Sequence, residues 1–264
     1  MHAGADPAVA IVTGASRRIG AAIAQRLAGE RFAVVLHTSS VGKTDAEAEA
    51  AGIRERGGKA IVIVGDLAAS DVAPRIFAEA ERALGSVTLL VNNASLFEPD
   101  RAQDFSPELL DRHLAVNLRA PLLLAQEMHR RLPAERSGAI VNIIDQRVMR
   151  PNPTYFTYSL SKSALWSATI TMAQAFAPRI RVNGVAPGPV LPNVHDGAEA
   201  FAQEVAALPL KRAASVAEVC DAVVYLANAG SVTGQLIAVD GGQHIAWETP
   251  DVLALNPRSA GGGS

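Results

Sequence analysis

The sequence predicts a doubly wound α/β fold, a seven-stranded parallel sheet with helices on both faces. Three observations carry that prediction. Short β-branched runs recur through the 264 residues, each run is apolar throughout rather than alternating, and Ala-rich amphipathic stretches separate the runs. Continuous apolarity is what a strand buried on both faces requires. Regular alternation of strand and helix implies right-handed βαβ units packed into one parallel sheet. No linker-like change of composition and no internal repeat divides the chain, so it reads as one domain over residues 1–264. Residues 1–8 and the Gly/Ser-rich residues 256–264 are expected to be flexible ends.

The elements follow in order. Val9–Thr13 (VAIVT) is the first strand, and a glycine-bearing turn leads from it into the helix Gly20–Ala28. Ala33–Leu36 precedes the Ala/Glu-rich helix Asp45–Arg56, and Ala60–Val64 precedes the helix Asp71–Leu84. Thr88–Asn92 is followed by one long helix, Pro107–Arg131, and Ala139–Ile143 by the helix Ser159–Ala177. Ile180–Val185 comes next, then a loop, Pro189 to Leu208, expected to be mobile. The helix Val216–Asn228 and the strand Leu236–Val239 close the pattern. Sheets of this kind bind ligands at the carboxyl ends of their strands, where strand order reverses. That singles out the turns after Thr13, Leu36, Val64, Asn92, Ile143 and Val185.

The first turn reads Thr13-Gly14-Ala15-Ser16-Arg17-Arg18-Ile19-Gly20. Gly14 permits a tight turn, and Gly20 lets the helix begin close against the strand. The amides at that helix start can then face a pyrophosphate, with the helix dipole adding to the attraction. After the second strand stand His37, Thr38, Ser39 and Ser40, with Lys43 beyond, where an NAD-selective site carries an acid for the ribose hydroxyl. Hydroxyls and cations suit a 2′-phosphate instead, so the expected cofactor is NADP(H). Further on, Tyr158 and Lys162 stand at i and i+4, on one helical face. A phenol near pKa 10 is a poor acid–base group at neutral pH. A neighbouring ammonium and an oxidised nicotinamide would lower that value.

Together these residues resemble the short-chain dehydrogenase/reductase family, a Rossmann fold, over about residues 9 to 246. The resemblance implies an NADP-dependent oxidoreductase in which Tyr158 donates the proton and Lys162 also binds the nicotinamide ribose. It assigns Asp66-Leu67 to the adenine, Asn93-Ala94-Ser95 to the strand-four signature, Asn117 to a proton-relaying water, and Pro187-Gly188 to the nicotinamide border. Three departures resemble the pteridine reductase branch. Arg18 stands where the family has its middle glycine, Ser95 replaces a glycine, and Asp145, thirteen residues before Tyr158, replaces a serine. Phe97 resembles the branch's aromatic ring that stacks on the pterin, with Arg18, Ser95, Asp145 and Tyr158 as the other substrate contacts. An ionised carboxylate at Asp145 suits a substrate with N–H groups to offer, or a ring nitrogen that must gain a proton. Each has an ordinary alternative: a solvated Arg18, a core Phe97, Asp66 capping a helix, Asp145 capping its loop. Three activities therefore stand open: reduction of a dihydropterin or dihydrofolate C=N bond, reduction of a ketone such as a 3-oxoacyl thioester, and silent NADP(H) binding, which the intact Tyr158–Lys162 pair argues against.

Bulk properties exclude other classes. A formal charge of −2 offers no field for nucleic acid or anionic lipid. The single Cys220 rules out an intrachain disulfide, and the six histidines show no ligand-like pairing, so no metal is expected. Neither a leader pattern nor an apolar run of membrane-spanning length appears, so a cytoplasmic location is expected. The resemblance implies a homotetramer paired through the helices Pro107–Arg131 and Ser159–Ala177.

Overall fold

The computed structural model describes residues 8–192 and 197–246. Its centre is a seven-stranded sheet, every neighbouring pair parallel, in the order β3-β2-β1-β4-β5-β6-β7. The strands are β1 (Val9–Thr13), β2 (Ala33–Thr38), β3 (Ala60–Val64), β4 (Val87–Asn92), β5 (Gly138–Ile143), β6 (Ile180–Pro187) and β7 (Leu236–Val239). The helices are α1 (Arg18–Gly29), α2 (Lys43–Glu55), α3 (Val72–Leu84), α4 (Pro107–Leu114), α5 (Ala120–Arg131), α6 (Phe156–Phe176), α7 (Gly197–Ala207) and α8 (Val216–Asn228).

Side chains alternate across the pleat and build a core on each face. Val9 and Ile11 of β1 point to Ile76 and Phe77 of α3, Leu124 and Met128 of α5, and Met172 of α6. Ala10 and Val12 point to Ile23 and Leu27 of α1, Ile53 of α2, and Val219 and Val223 of α8. Each such aliphatic side chain, wholly removed from water, contributes about 1.5–3 kcal/mol before conformational entropy is set against it. Two-sided burial is why the strands read as unbroken apolar runs. Because β1 pairs with β2 on one side and β4 on the other, strand order reverses between β1 and β4. A crevice opens there.

Several elements differ from the sequence reading, β6 running on to Pro187 and α6 opening at Phe156 among them. The helix expected over Pro107–Arg131 is interrupted by a π turn at Ala115–Arg119. Pro121 has no N–H to give the Asn117 carbonyl four residues back, so the regular ladder fails there and a wider turn absorbs it. The expected loop Pro189–Leu208 contains α7, an Ala/Glu-rich helix with no fully buried side chain. Phe201, Val205 and Leu208 stand at i, i+4 and i+7, a stripe at helical spacing that the sequence reading passed over. β2 also runs two residues further, carrying His37 and Thr38 into the sheet opposite Ile63 and Val64. Of the ends expected to be flexible, all but Ala8 lie outside the described residues.

Candidate active site

The turns after β1, β2, β3 and β4 meet around a cleft of about 460 Å³. Gly14 takes φ +64°, and a Cβ there would stand 2.8 Å from the Ala94 Cα; a Cβ on Gly20 would run into the Gly14 carbonyl. Both glycines are thus required by close backbone approach. The β4 turn braces the β1 turn from below. Asn93 Nδ2 donates to the carbonyls of Thr13 and Gly14 at 2.9 and 3.1 Å, and Thr13 Oγ1 accepts from the amides of Asn93 and Ala94, each at 3.0 Å. Ser16, Arg17, Arg18 and Ile19 line one wall, Thr38, Ser39, Asp66 and Leu67 the other, and Ala94 and Ser95 the floor. Ser40 lies beside the cleft, opening the 3-10 turn Ser40–Gly42. Gly65 and Val116 also line it, and neither carried a sequence signal.

These residues fit a dinucleotide with a phosphorylated ribose. Among the described residues lining the cleft at the end of β2 there is no carboxylate, while two hydroxyls, Thr38 and Ser39, stand there. His37 is buried, its Nε2–H donates to the Gly65 carbonyl at 3.2 Å, and its Nδ1 has no partner. Burial, and next the nearby Arg75 charge, outweigh the Gly65 bond and lower its pKa to about 4, so His37 is a neutral acceptor at neutral pH. The cations lining the cleft are the exposed Arg17 and Arg18, with Lys43 exposed at the start of α2. Asp66 does not cap α3; its Oδ1 accepts from the Ala68 amide at 2.9 Å in a local turn.

Arg18 occupies the left-handed region at φ +53°, as a glycine at that place would. Its Nη2 donates to the Pro192 carbonyl at 3.2 Å, so the guanidinium spans from the first turn to the segment after β6. In that segment the Gly188 amide donates to the Val239 carbonyl at 3.1 Å, which fixes the end of β6 against β7.

Beyond the cleft, α6 presents Tyr158, Ser161 and Lys162 to the end of β5. The Tyr158 hydroxyl donates to Asp145 Oδ2 at 2.8 Å. The other oxygen of Asp145 accepts the Arg147 amide at 2.8 Å, so the carboxylate also caps its own turn. Lys162 Nζ donates to the Ile143 carbonyl at 2.8 Å and lies 5.8 Å from the Tyr158 ring centre. The shared face exists, yet the lysine does not lower the tyrosine pKa as expected from sequence. Burial first, then the Asp145 charge and hydrogen bond, push Tyr158 well above 10, only partly offset by Arg147 and Ser95. Burial lowers Lys162 to about 8 despite the Asp145 charge.

Asn117 is fully buried at the π turn. Its Oδ1 accepts the Leu96 amide at 2.8 Å, and its Nδ2 donates to the Leu96 carbonyl at 2.9 Å and to Ser161 Oγ at 3.0 Å. The side chain thus ties the Ser95–Phe97 segment to α6. Phe97 stacks one face on Tyr155, ring centres 4.1 Å apart and 5° from parallel. Its edge relation to Tyr158 has centres 4.6 Å apart at 81°. Tyr155, held at φ +54°, is therefore part of this wall. His113 was missed from sequence. Its Nδ1–H donates to Thr157 Oγ1 at 2.8 Å, Thr157 donates to Asp100, and Nε2 accepts the Glu98 amide at 3.4 Å. One histidine on an amphipathic helix gives no sign of such a partner set.

No helix among the described residues is long and apolar enough to cross a membrane, and no metal-binding cluster occurs among them. A family model described as enoyl-(acyl carrier protein) reductase matches residues 14–244. A glucose 1-dehydrogenase of Gluconobacter oxydans is 34% identical, covering 88% of this chain and 90% of its own length. A 3-oxoacyl-(acyl-carrier-protein) reductase, FabG, of Staphylococcus epidermidis is 31% identical, with 89% and 98% covered. Among solved structures, FolM alternative dihydrofolate reductase 1 from Brucella canis, complexed with NADP, superimposes with a TM-score of 0.90 at 47% identity, covering 94% of this chain and 98% of that one. The Brucella suis counterpart, also with NADP, gives 0.89 at 48% identity, covering 92% and 98%.

Proposed function

The chain belongs to the short-chain dehydrogenase/reductase family and is an oxidoreductase, and on that premise we propose that it reduces the C=N bond of a dihydropterin or dihydrofolate with NADPH. The observation that carries this reading is the 2.8 Å hydrogen bond from Tyr158 to Asp145. A carboxylate beside the proton donor opposes negative charge on a carbonyl oxygen, but it suits a ring that offers N–H groups and a nitrogen that must be protonated. The two FolM structures support the same substrate class.

When bound, NADPH supplies the hydride. Its phosphates would be held at the start of α1 by Ser16, Arg17 and Ile19, and its 2′-phosphate by Thr38, Ser39 and Arg17. Asp66 and Leu67 would border the adenine, and Pro187 and Gly188 the nicotinamide. Tyr158 keeps its proton across neutral pH, because burial and the Asp145 charge both disfavour phenolate; that is the state a donor needs. In the reaction its hydroxyl turns to the substrate nitrogen and gives up the proton, while Asp145 accepts a substrate N–H. Lys162, ammonium below about pH 8, offsets the phenolate charge until solvent returns a proton. Phe97 and Tyr155 wall the substrate together, and Arg18 closes the side towards Pro192. A cytoplasmic homotetramer is part of the same reading.

Ketone reduction is the second reading, and the FabG relative favours it. Supplying dihydrobiopterin and a 3-oxoacyl thioester in parallel, and following loss of NADPH absorbance, separates the two. Turnover of the thioester alone would overturn the pterin assignment.

A further inference from the structure

Arg147 has no part in the steps above, yet its side chain is only 17% exposed. It stands two residues past Asp145, in the turn that follows β5. Its guanidinium carbon lies 5.1 Å from the Tyr155 ring centre and 5.6 Å from that of Phe97, at the flank of the stacked pair, where it can face one ring only. Nη1 stands 3.6 Å from Asp145 Oδ2, the oxygen that accepts the Tyr158 hydroxyl. The Arg147 amide holds the other oxygen at 2.8 Å. One residue therefore engages both oxygens of the carboxylate. Its Nε is buried and has no hydrogen-bond partner among the described residues. Desolvating a guanidinium is costly, and the charge of Asp145 offsets that cost.

We propose that Arg147 is a positioning residue for the reaction, fixing the Asp145 carboxylate in its ionised form against the Tyr158 hydroxyl. The inference rests on the Asp145–Tyr158 pair being the reaction centre, as proposed above. The Tyr158 hydroxyl favours the carboxylate by donating to it, and the Arg147 charge beside Oδ2 adds to that; without the cation the acceptor that orients Tyr158 is less firmly held. Of the other ionisable groups around the pair, Lys162 also acts on Asp145 through its charge, but neither it nor His113 touches the carboxylate. Lys162 of α6 is bonded to the Ile143 carbonyl. His113 of α4, its ring centre 6.2 Å from that of Tyr158, has both nitrogens committed and is held towards its neutral form by burial. The stacked rings flank Arg147, which also gives Tyr155 and Phe97 a task besides walling the pocket.

The test is the pH profile of kcat/KM for Arg147→Met and Arg147→Lys, measured with dihydrobiopterin and with an activated ketone. In Arg147→Met the low-pH limb should move up by about one pH unit or more, the usual effect of losing an opposite charge a few ångströms away. NADPH affinity should stay within about twofold, because the nucleotide cleft lies elsewhere, and Arg147→Lys should restore most of the limb position. An unmoved limb in Arg147→Met overturns the proposal. The limb is read with the pterin, the ketone serving as the control that does not draw on the carboxylate. Inactivity towards the pterin refutes the substrate reading, in which case an infrared comparison reads the carboxylate, and an unmoved limb or titration refutes the role of Arg147. If Arg147→Met fails to fold by thermal melt, Arg147→Gln carries the same comparison. Should the pterin not be turned over, isotope-edited infrared difference spectra against Asp145→Asn read the carboxylate titration directly.

Discussion

Asp145 accepts the Tyr158 hydroxyl at 2.8 Å across the gap between the end of β5 and the first turn of α6. Replacing that acceptor by the serine usual in the family should separate the two chemistries. For Asp145→Ser we expect kcat on a dihydropterin to fall by about 10²–10⁴, the scale of losing a positioned acid or base. Activity on an activated ketone should be kept or improved, and NADPH affinity should hardly move. Steady-state kinetics on both substrates check this; unchanged pterin turnover would leave the carboxylate a turn cap only.

Tyr158→Phe should instead lower both activities by about 10²–10⁴, since either reaction draws on the same proton. The pH profile should reflect Lys162 rather than the tyrosine. Tyr158 stays protonated beyond its ordinary range, while Lys162 loses its charge near pH 8. Reductive kcat should therefore hold below about 8 and decline above it. A profile flat to pH 10 would remove the ammonium from the mechanism.

NADPH should bind at least about tenfold more tightly than NADH, a difference of roughly 1.4 kcal/mol. Thr38→Asp should erode the preference by placing a carboxylate where the 2′-phosphate would lie. Calorimetric titration of both nucleotides decides it, and equal affinities in the parent protein would sink the assignment.

Arg18 combines a strained backbone with a reach to Pro192. Arg18→Gly relieves a left-handed conformation worth about 1–2 kcal/mol in a non-glycine residue. The melting temperature should hold or rise while KM for the pterin increases. A lowered melting temperature with unchanged KM would mean that the arginine serves the fold alone.

His37 links the cleft to acid stability. Its pKa is lowered from 6.5 to about 4, so the unfolded chain binds the proton more readily between those values. Stability should thus be complete above about pH 6.5 and decline as pH falls towards 4. His113, also shifted down by burial, acts in the same direction. Denaturant midpoints at pH 7 and pH 5 should differ less in His37→Gln than in the parent; an equal difference would place the acid sensitivity elsewhere.

The sequence by itself determined the order of strands and helices, because burial on both faces of β1, β2, β4 and β5 forces unbroken apolar runs, whereas β2 and β6 end two residues beyond those runs. It determined the close glycine turn at Gly14 and Gly20, since strand, turn and helix are adjacent in sequence. It also placed Tyr158 and Lys162 on one face, since helical periodicity is local. Tertiary structure alone decided what those groups meet. That Phe97 spends a face on Tyr155, that Asn117 ties Leu96 to Ser161, that His113 joins Glu98 to Thr157, and that Arg18 reaches Pro192 are all pairings between distant segments. The direction of the Tyr158 shift was decided there too. Sequence shows a lysine four residues away, but burial and the Asp145 carboxylate outweigh any such neighbour, and both arise only when β5 and α6 pack.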